Sequence, residues 1–166
     1  MKPNLIIAAL VVSALSTHAL ALDVKFADEL WDGKTIPAGQ QCQKFAGHNP
    51  ATPRLIVSEI PTGSTAIVLA YSDRDVEAMN NGGHGIVRFT LNSPASTVQI
   101  PSVLGHTFDI PADFKMIKAH RGPGWDTAGA YMPPCSGGKG HAYYVTVKTM
   151  QDDNVTATAV LELGKY

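Results

Sequence analysis

The sequence predicts a mainly β protein, a two-sheet antiparallel β-sandwich with little helix. Two observations carry this. Five runs are rich in β-branched and aromatic residues and bounded by turn residues. No long stretch beyond the N-terminus shows the 3.6-residue apolar stripe of a packed helix. The runs are Arg54–Ile60, Thr65–Tyr71, His84–Leu91, Ala142–Lys148 and Asn154–Leu163.

Each element has its own reason. Ile60-Pro61-Thr62-Gly63 stops the first run, because proline fixes φ and glycine supplies the turn. Asn80-Asn81-Gly82-Gly83 separates the second run from the third, and Asp73–Met79 has room for one helical turn. Residues 93–140 carry Pro101, Pro111 and Gly122-Pro123-Gly124 and read as long functional connections. In the last run Val155, Ala157, Ala159, Leu161 and Leu163 share one face, with Thr156, Thr158 and Glu162 on the other. Only Gln151-Asp152-Asp153 joins that run to the strand before it.

The first residues read as a leader rather than as part of the fold. Lys2 is a positive head, Leu5 to Leu15 an apolar core too short to span a bilayer, and Ala19-Leu20-Ala21 a small-residue cleavage pattern. The expected organisation is a signal peptide over 1–21 and a single domain over 22–166, exported to the periplasm or secreted, with no transmembrane anchor after cleavage. Without Lys2 the chain has 12 basic against 14 acidic residues. That balance offers no basic patch for nucleic acid or an anionic membrane surface.

Two cysteines remain, Cys42 and Cys135. In an oxidising compartment an even pair is most simply a disulfide, and two buried thiols are the alternative. Neither belongs to a C-x-x-C pair, which argues against a thioredoxin-like redox role and a cysteine zinc knuckle.

The usual catalytic signatures are missing: no G-x-S-x-G, H-E-x-x-H, Walker loop or G-x-G-x-x-G. What remains is a polar set at strand ends. Asp73 and Asp75 follow the second run, His84 opens the third, and His141 and Tyr143 open the fourth behind Pro133-Pro134-Cys135-Ser136-Gly137. Taken singly, an Asp after a strand is a turn former and a His at a strand start is ordinary packing. Together they offer hydrogen-bond donors and carboxylates to one site. Two His and two Asp also suit tetrahedral zinc, and a His–Asp pair can serve as a general base. Trp125 and Tyr131, in GPGWDTAGAY, are candidate walls.

The ordered series Asn49-Pro50-Ala51-Thr52-Pro53-Arg54, Ile60-Pro61-Thr62-Gly63-Ser64, Ser72-Asp73-Arg74-Asp75, His84-Gly85-Ile86-Val87, Pro133-Pro134-Cys135-Ser136-Gly137 and His141-Ala142-Tyr143 resembles the phosphatidylethanolamine-binding protein family. Its exported bacterial Raf-kinase-inhibitor-like branch is the nearest in pattern. The family elements are I/V-P-x-G-T, D-P-D-x-P, H-W-x-V, G-P-x-P-P-x-G and H-R-Y. The resemblance implies a β-sandwich, supports a Cys42–Cys135 bridge, and implies a ligand-binding set of Asp73, Asp75, His84, Pro133, Pro134, Gly137, His141 and Tyr143. It implies a small anionic ligand or phospholipid headgroup as partner, with no metal, cofactor or catalysis. A protein-interaction or inhibitor module with a vestigial pocket is the competing expectation, ahead of a metal-binding protein or hydrolase. Four departures stand out: Arg74 and Glu77 for the two prolines of D-P-D-x-P, Gly85 for the tryptophan, and Ala142 for the arginine.

Overall fold

The computed structural model describes residues 21–166, so the leader read over 1–21 lies, but for Ala21, outside the described residues. Eight strands form: β1 (Asp23–Phe26), β2 (Leu55–Ser58), β3 (Ala66–Asp73), β4 (Gly85–Thr90), β5 (Thr97–Ile100), β6 (Phe114–Lys118), β7 (Ala142–Gln151) and β8 (Asn154–Lys165). They build two sheets, ordered β1-β2-β5 and β6-β4-β3-β7-β8, in which every strand pair is antiparallel. Two 3-10 turns, Gln43–Phe45 and Glu77–Met79, are the only helical pieces among the described residues, and the second is the turn expected after Asp73.

The core lies between the sheets. Ile67, Leu69 and Tyr71 of β3, Val87 and Phe89 of β4, and Val145 and Val147 of β7 meet Leu55, Val57 and Ile100 of the smaller sheet. Alternation sets this: along β4 each buried residue is followed by a half-buried one. Each fully buried aliphatic or aromatic side chain contributes about 1.5–3 kcal/mol of transfer free energy.

The five expected strands are present. The corrections concern edges. β5 and β6 lie inside the 93–140 segment read as connections, and β1 was not expected at all. All three are edge strands. An edge strand needs little apolar patterning, and β6 buries only Phe114 while its other four residues are exposed. Val155 is the exception on β8: it is 51% exposed, beyond an irregularity in register between Thr149 and Met150. The connection before it is tight, because Gln151 pairs with Asn154 and Asp152 takes the left-handed φ of 54°.

Cys42 and Cys135 are joined in a disulfide, with Cα atoms 5.2 Å apart. The Cys42 N–H also donates to the Pro134 carbonyl at 2.9 Å, so this crossing is held by backbone as well as sulfur.

Candidate functional site

Pairing within the larger sheet brings the polar set together. Asp73, the last residue of β3, lies opposite Tyr143 on β7, and Tyr71 lies opposite Gly85 on β4. The ends of three neighbouring strands therefore present Asp73, His84, His141 and Tyr143 at one place. These four line a cavity of ≈ 40 Å³. That is room for a few water-sized groups, enough for a small oxyanion but not for a whole lipid.

Asp73 organises the site. Its Oδ2 accepts from His141 Nδ1 at 2.8 Å, and its Oδ1 accepts the Asp75 N–H at 2.8 Å. The Asp73 side chain is only 4% exposed and that of His141 21%. Since Nδ1 is bound to the carboxylate, Nε2 is the His141 ring atom left to meet a ligand.

His84 is oriented from behind. Its Nδ1 lies 2.7 Å from the Met132 carbonyl. A carbonyl only accepts, so Nδ1 carries the proton and Nε2 keeps a lone pair. Burial lowers its pKa to about 4, against smaller raising effects from the Met132 bond and Asp73, and the ring is neutral at neutral pH. Tyr143 stands edge-on to it, with ring centroids 5.3 Å apart at 87°. The Tyr143 hydroxyl accepts the Cys135 N–H at 3.2 Å, and its own O–H can donate onward. Burial is the first cause of its pKa rising to about 12.

The depressed His84 pKa has a consequence for stability. Unfolded, the ring takes up a proton near 6.5; folded, it does so only near 4. Its contribution is therefore complete above about pH 6.5 and is lost progressively as the pH falls towards about 4, a loss of about 3 kcal/mol. His120, also depressed chiefly by burial, acts in the same direction. His84→Gln keeps an N–H for Met132 but does not titrate. Urea midpoints measured across this range should fall less steeply for the variant. Equal slopes would remove His84 from the acid response.

The other four residues expected at the site fall outside the cavity lining. Asp75 is exposed, and its Oδ2 accepts the Ala142 N–H at 2.7 Å, fixing the start of β7. Pro133 and Pro134 are buried behind the wall, Pro133 so close to Gly105 that a Cβ there would come within 2.5 Å of its ring. Gly137 is exposed at φ 70°, packed against the Phe45 ring. Stiff, well-packed loop residues support a pocket without facing it. Of the two candidate walls, Trp125 lines the cavity and is 49% exposed, while Tyr131 is core, edge-on to Tyr71 at 5.0 Å.

Val76, Met79, Met132 and Ser136 also line the cavity and were not foreseen. Apolar side chains in irregular segments carry no periodic signal. Ser136 followed Cys135 in plain view, but its hydroxyl donates to the Tyr166 carbonyl, which nothing local in sequence announces. A larger hollow of ≈ 530 Å³ near Ile60 and Thr158 has Glu59 as its one titratable side chain, with Thr62, Ser96, Thr156 and Thr158 as its other polar side chains and no histidine or basic residue.

No family model and no curated protein sequence matches this chain. Solved structures do. A phosphatidylethanolamine-binding protein homologue from Chlamydia trachomatis matches over 88% of this chain and 97% of its own, with a TM-score of 0.52 at 23% identity. YbcL of Escherichia coli, described as a member of the mammalian phosphatidylethanolamine-binding protein family, matches over 89% of this chain and 98% of its own, with a TM-score of 0.58 at 17% identity. This chain has the phosphatidylethanolamine-binding-protein fold. The likeness spans nearly the whole length of both solved chains, so the fold is shared throughout rather than in one motif.

Within that fold three departures acquire a structural account. Gly85 has φ 119°, and a Cβ there would meet the Ala130 carbonyl oxygen at 2.0 Å, so no side chain fits where the family motif has tryptophan. An aromatic wall comes instead from Trp125, on a different loop. Arg74, in place of proline, extends away to stack on Tyr144 and pair with Glu162. Ala142, in place of arginine, leaves the lining without Lys or Arg.

Proposed function

We propose that this is an exported, non-catalytic binding protein whose cavity takes one small anionic group, phosphate-like or the phosphate of a phospholipid headgroup. The observation that carries this reading is the 2.8 Å Asp73–His141 pair inside a cavity shared with His84 and Tyr143. The leader pattern and the disulfide support export.

The donor and acceptor set suits a partly protonated phosphate. Tyr143 O–H and the Nε2–H of a protonated His141 donate to charged oxygens, and the lone pair of neutral His84 accepts from P–OH. Both Asp73 oxygens are already engaged, so its role is to orient His141, and Asp75 lies outside the cavity lining. A headgroup ammonium at the mouth would find the face of Trp125 instead. Catalysis is disfavoured because Ser136, the hydroxyl nearest in type to a nucleophile, gives its proton to a backbone carbonyl rather than to an imidazole.

The His141 ring and the Tyr143 hydroxyl are the two side-chain donors this reading assigns to the anion's charged oxygens. Titration calorimetry with phosphoethanolamine and with inorganic phosphate tests this, with His141→Ala weaker by about tenfold or more for both. Equal affinity of mutant and parent would overturn the reading and favour a protein-interaction role for the surface. Comparing the two ligands separates headgroup from free-phosphate recognition.

A further inference from the structure

Behind the cavity wall, ligand-type side chains converge that are far apart in sequence. A carboxylate oxygen of Asp126 and the sulfurs of Cys42 and Cys135 all lie within 4.8 Å of one another. Cys42 is fully buried, the Asp126 side chain is 6% exposed, and Cys135 is half-buried and lines the cavity. His106, itself 4% exposed, donates from Nε2 to Asp126 Oδ2, and its Nδ1 is buried with no hydrogen-bond partner.

We propose that reduction of the Cys42–Cys135 disulfide uncovers a site for one Zn²⁺, held by Cys42, Cys135 and Asp126 with its fourth position towards the cavity. The step balances with a dithiol as reductant. The S–S bond accepts two electrons and two protons to give two thiols, and the dithiol closes to its own cyclic disulfide. Zn²⁺ then displaces both thiol protons to solvent, because only thiolates are ligands.

Three features of the fold favour zinc here. The Cα atoms of the two cysteines are held 5.2 Å apart and the Cys42 N–H is bound to Pro134, so both sulfurs stay on one side of the loop after reduction. Two thiolates with one carboxylate form a soft, tetrahedral-type donor set that suits zinc and excludes magnesium or calcium. His106, hydrogen-bonded to Asp126, fixes the carboxylate's direction. Three protein ligands with one open position is the arrangement of zinc sites that take an exogenous group. Its three ligands are not members of the anion-binding set, although Cys135 lines the same cavity and its N–H meets the Tyr143 hydroxyl.

The test uses purified protein reduced with dithiothreitol, freed of reductant without oxygen, and assayed for two free thiols. Titration with Co²⁺ should give one equivalent of four-coordinate visible bands with thiolate-to-cobalt charge transfer, and the disulfide form should give neither. Zn²⁺ should displace the cobalt. Asp126→Asn, reduced in the same way, should bind Zn²⁺ about tenfold or more weakly in competition with a chromophoric chelator. A variant that binds as tightly as the parent overturns the assignment. So does a reduced chain that stays folded by circular dichroism yet gives no charge transfer, or one that unfolds and is not refolded by zinc.

Discussion

A chain with Cys42 and Cys135 both replaced by alanine is expected to lose about 4–5 kcal/mol of stability. The bridge closes a loop of 93 residues, and on the chain-entropy model a loop of that length restrains the unfolded ensemble by this amount. The loop spans β2 to β6, so in the reduced unfolded chain the partners of both sheets are free to separate. A small domain has only about 5–15 kcal/mol in total, and the change is therefore a large fraction of it. Urea midpoints at fixed m-value measure the loss. Double serine should be worse than double alanine, because position 42 is fully buried and a hydroxyl there must find a partner. A loss below about 1 kcal/mol would mean that the Cys42–Pro134 backbone bond and its neighbours hold the crossing alone.

The same buried neighbourhood shows what can be read from sequence. β2, β3, β4, β7 and β8 were legible because strands with a buried face must be apolar at every second residue. β1, β5 and β6 were not, because at 4, 4 and 5 residues they are too short to show the alternation that the 12 residues of β8, also an edge strand, display, and edges tolerate charge, as Lys115 and Lys118 show on β6. The site divides in the same way. Asp73, His84, His141 and Tyr143 sit at strand ends, where period and pairing place them. Asp75, two residues beyond Asp73, should face the same way in an extended chain. β3 ends at Asp73, however, and Asp75 turns to cap the β7 backbone. Asp126 and His106 meet through two irregular loops, and no spacing rule reaches across such a contact.

Gly85 is where the departure from the family motif has its largest expected effect. Restoring the tryptophan, or adding only the methyl of alanine, should cost about 4 kcal/mol or more. The φ of 119° already excludes most side chains at about 1–3 kcal/mol. The added Cβ would also stand 2.0 Å from the Ala130 carbonyl oxygen and 3.3 Å from the Tyr131 Cα, both backbone atoms that no rotamer change can move. Ala130 and Tyr131 are themselves buried in the core. Their neighbour Met132 is tied to His84 twice, its N–H donating to the His84 carbonyl at 2.9 Å and its carbonyl accepting from the ring at 2.7 Å. Displacing this segment therefore damages packing and turns the His84 ring, so folding and ligand affinity should fall together in Gly85→Ala. Trp125→Ala separates the two effects. It removes a half-exposed wall from the cavity without touching the core, so affinity should fall while the urea midpoint stays within about 0.5 kcal/mol of the parent. If Gly85→Ala folded as stably as the parent, the close approach of β4 to the 130–132 segment would not be what holds His84 in place.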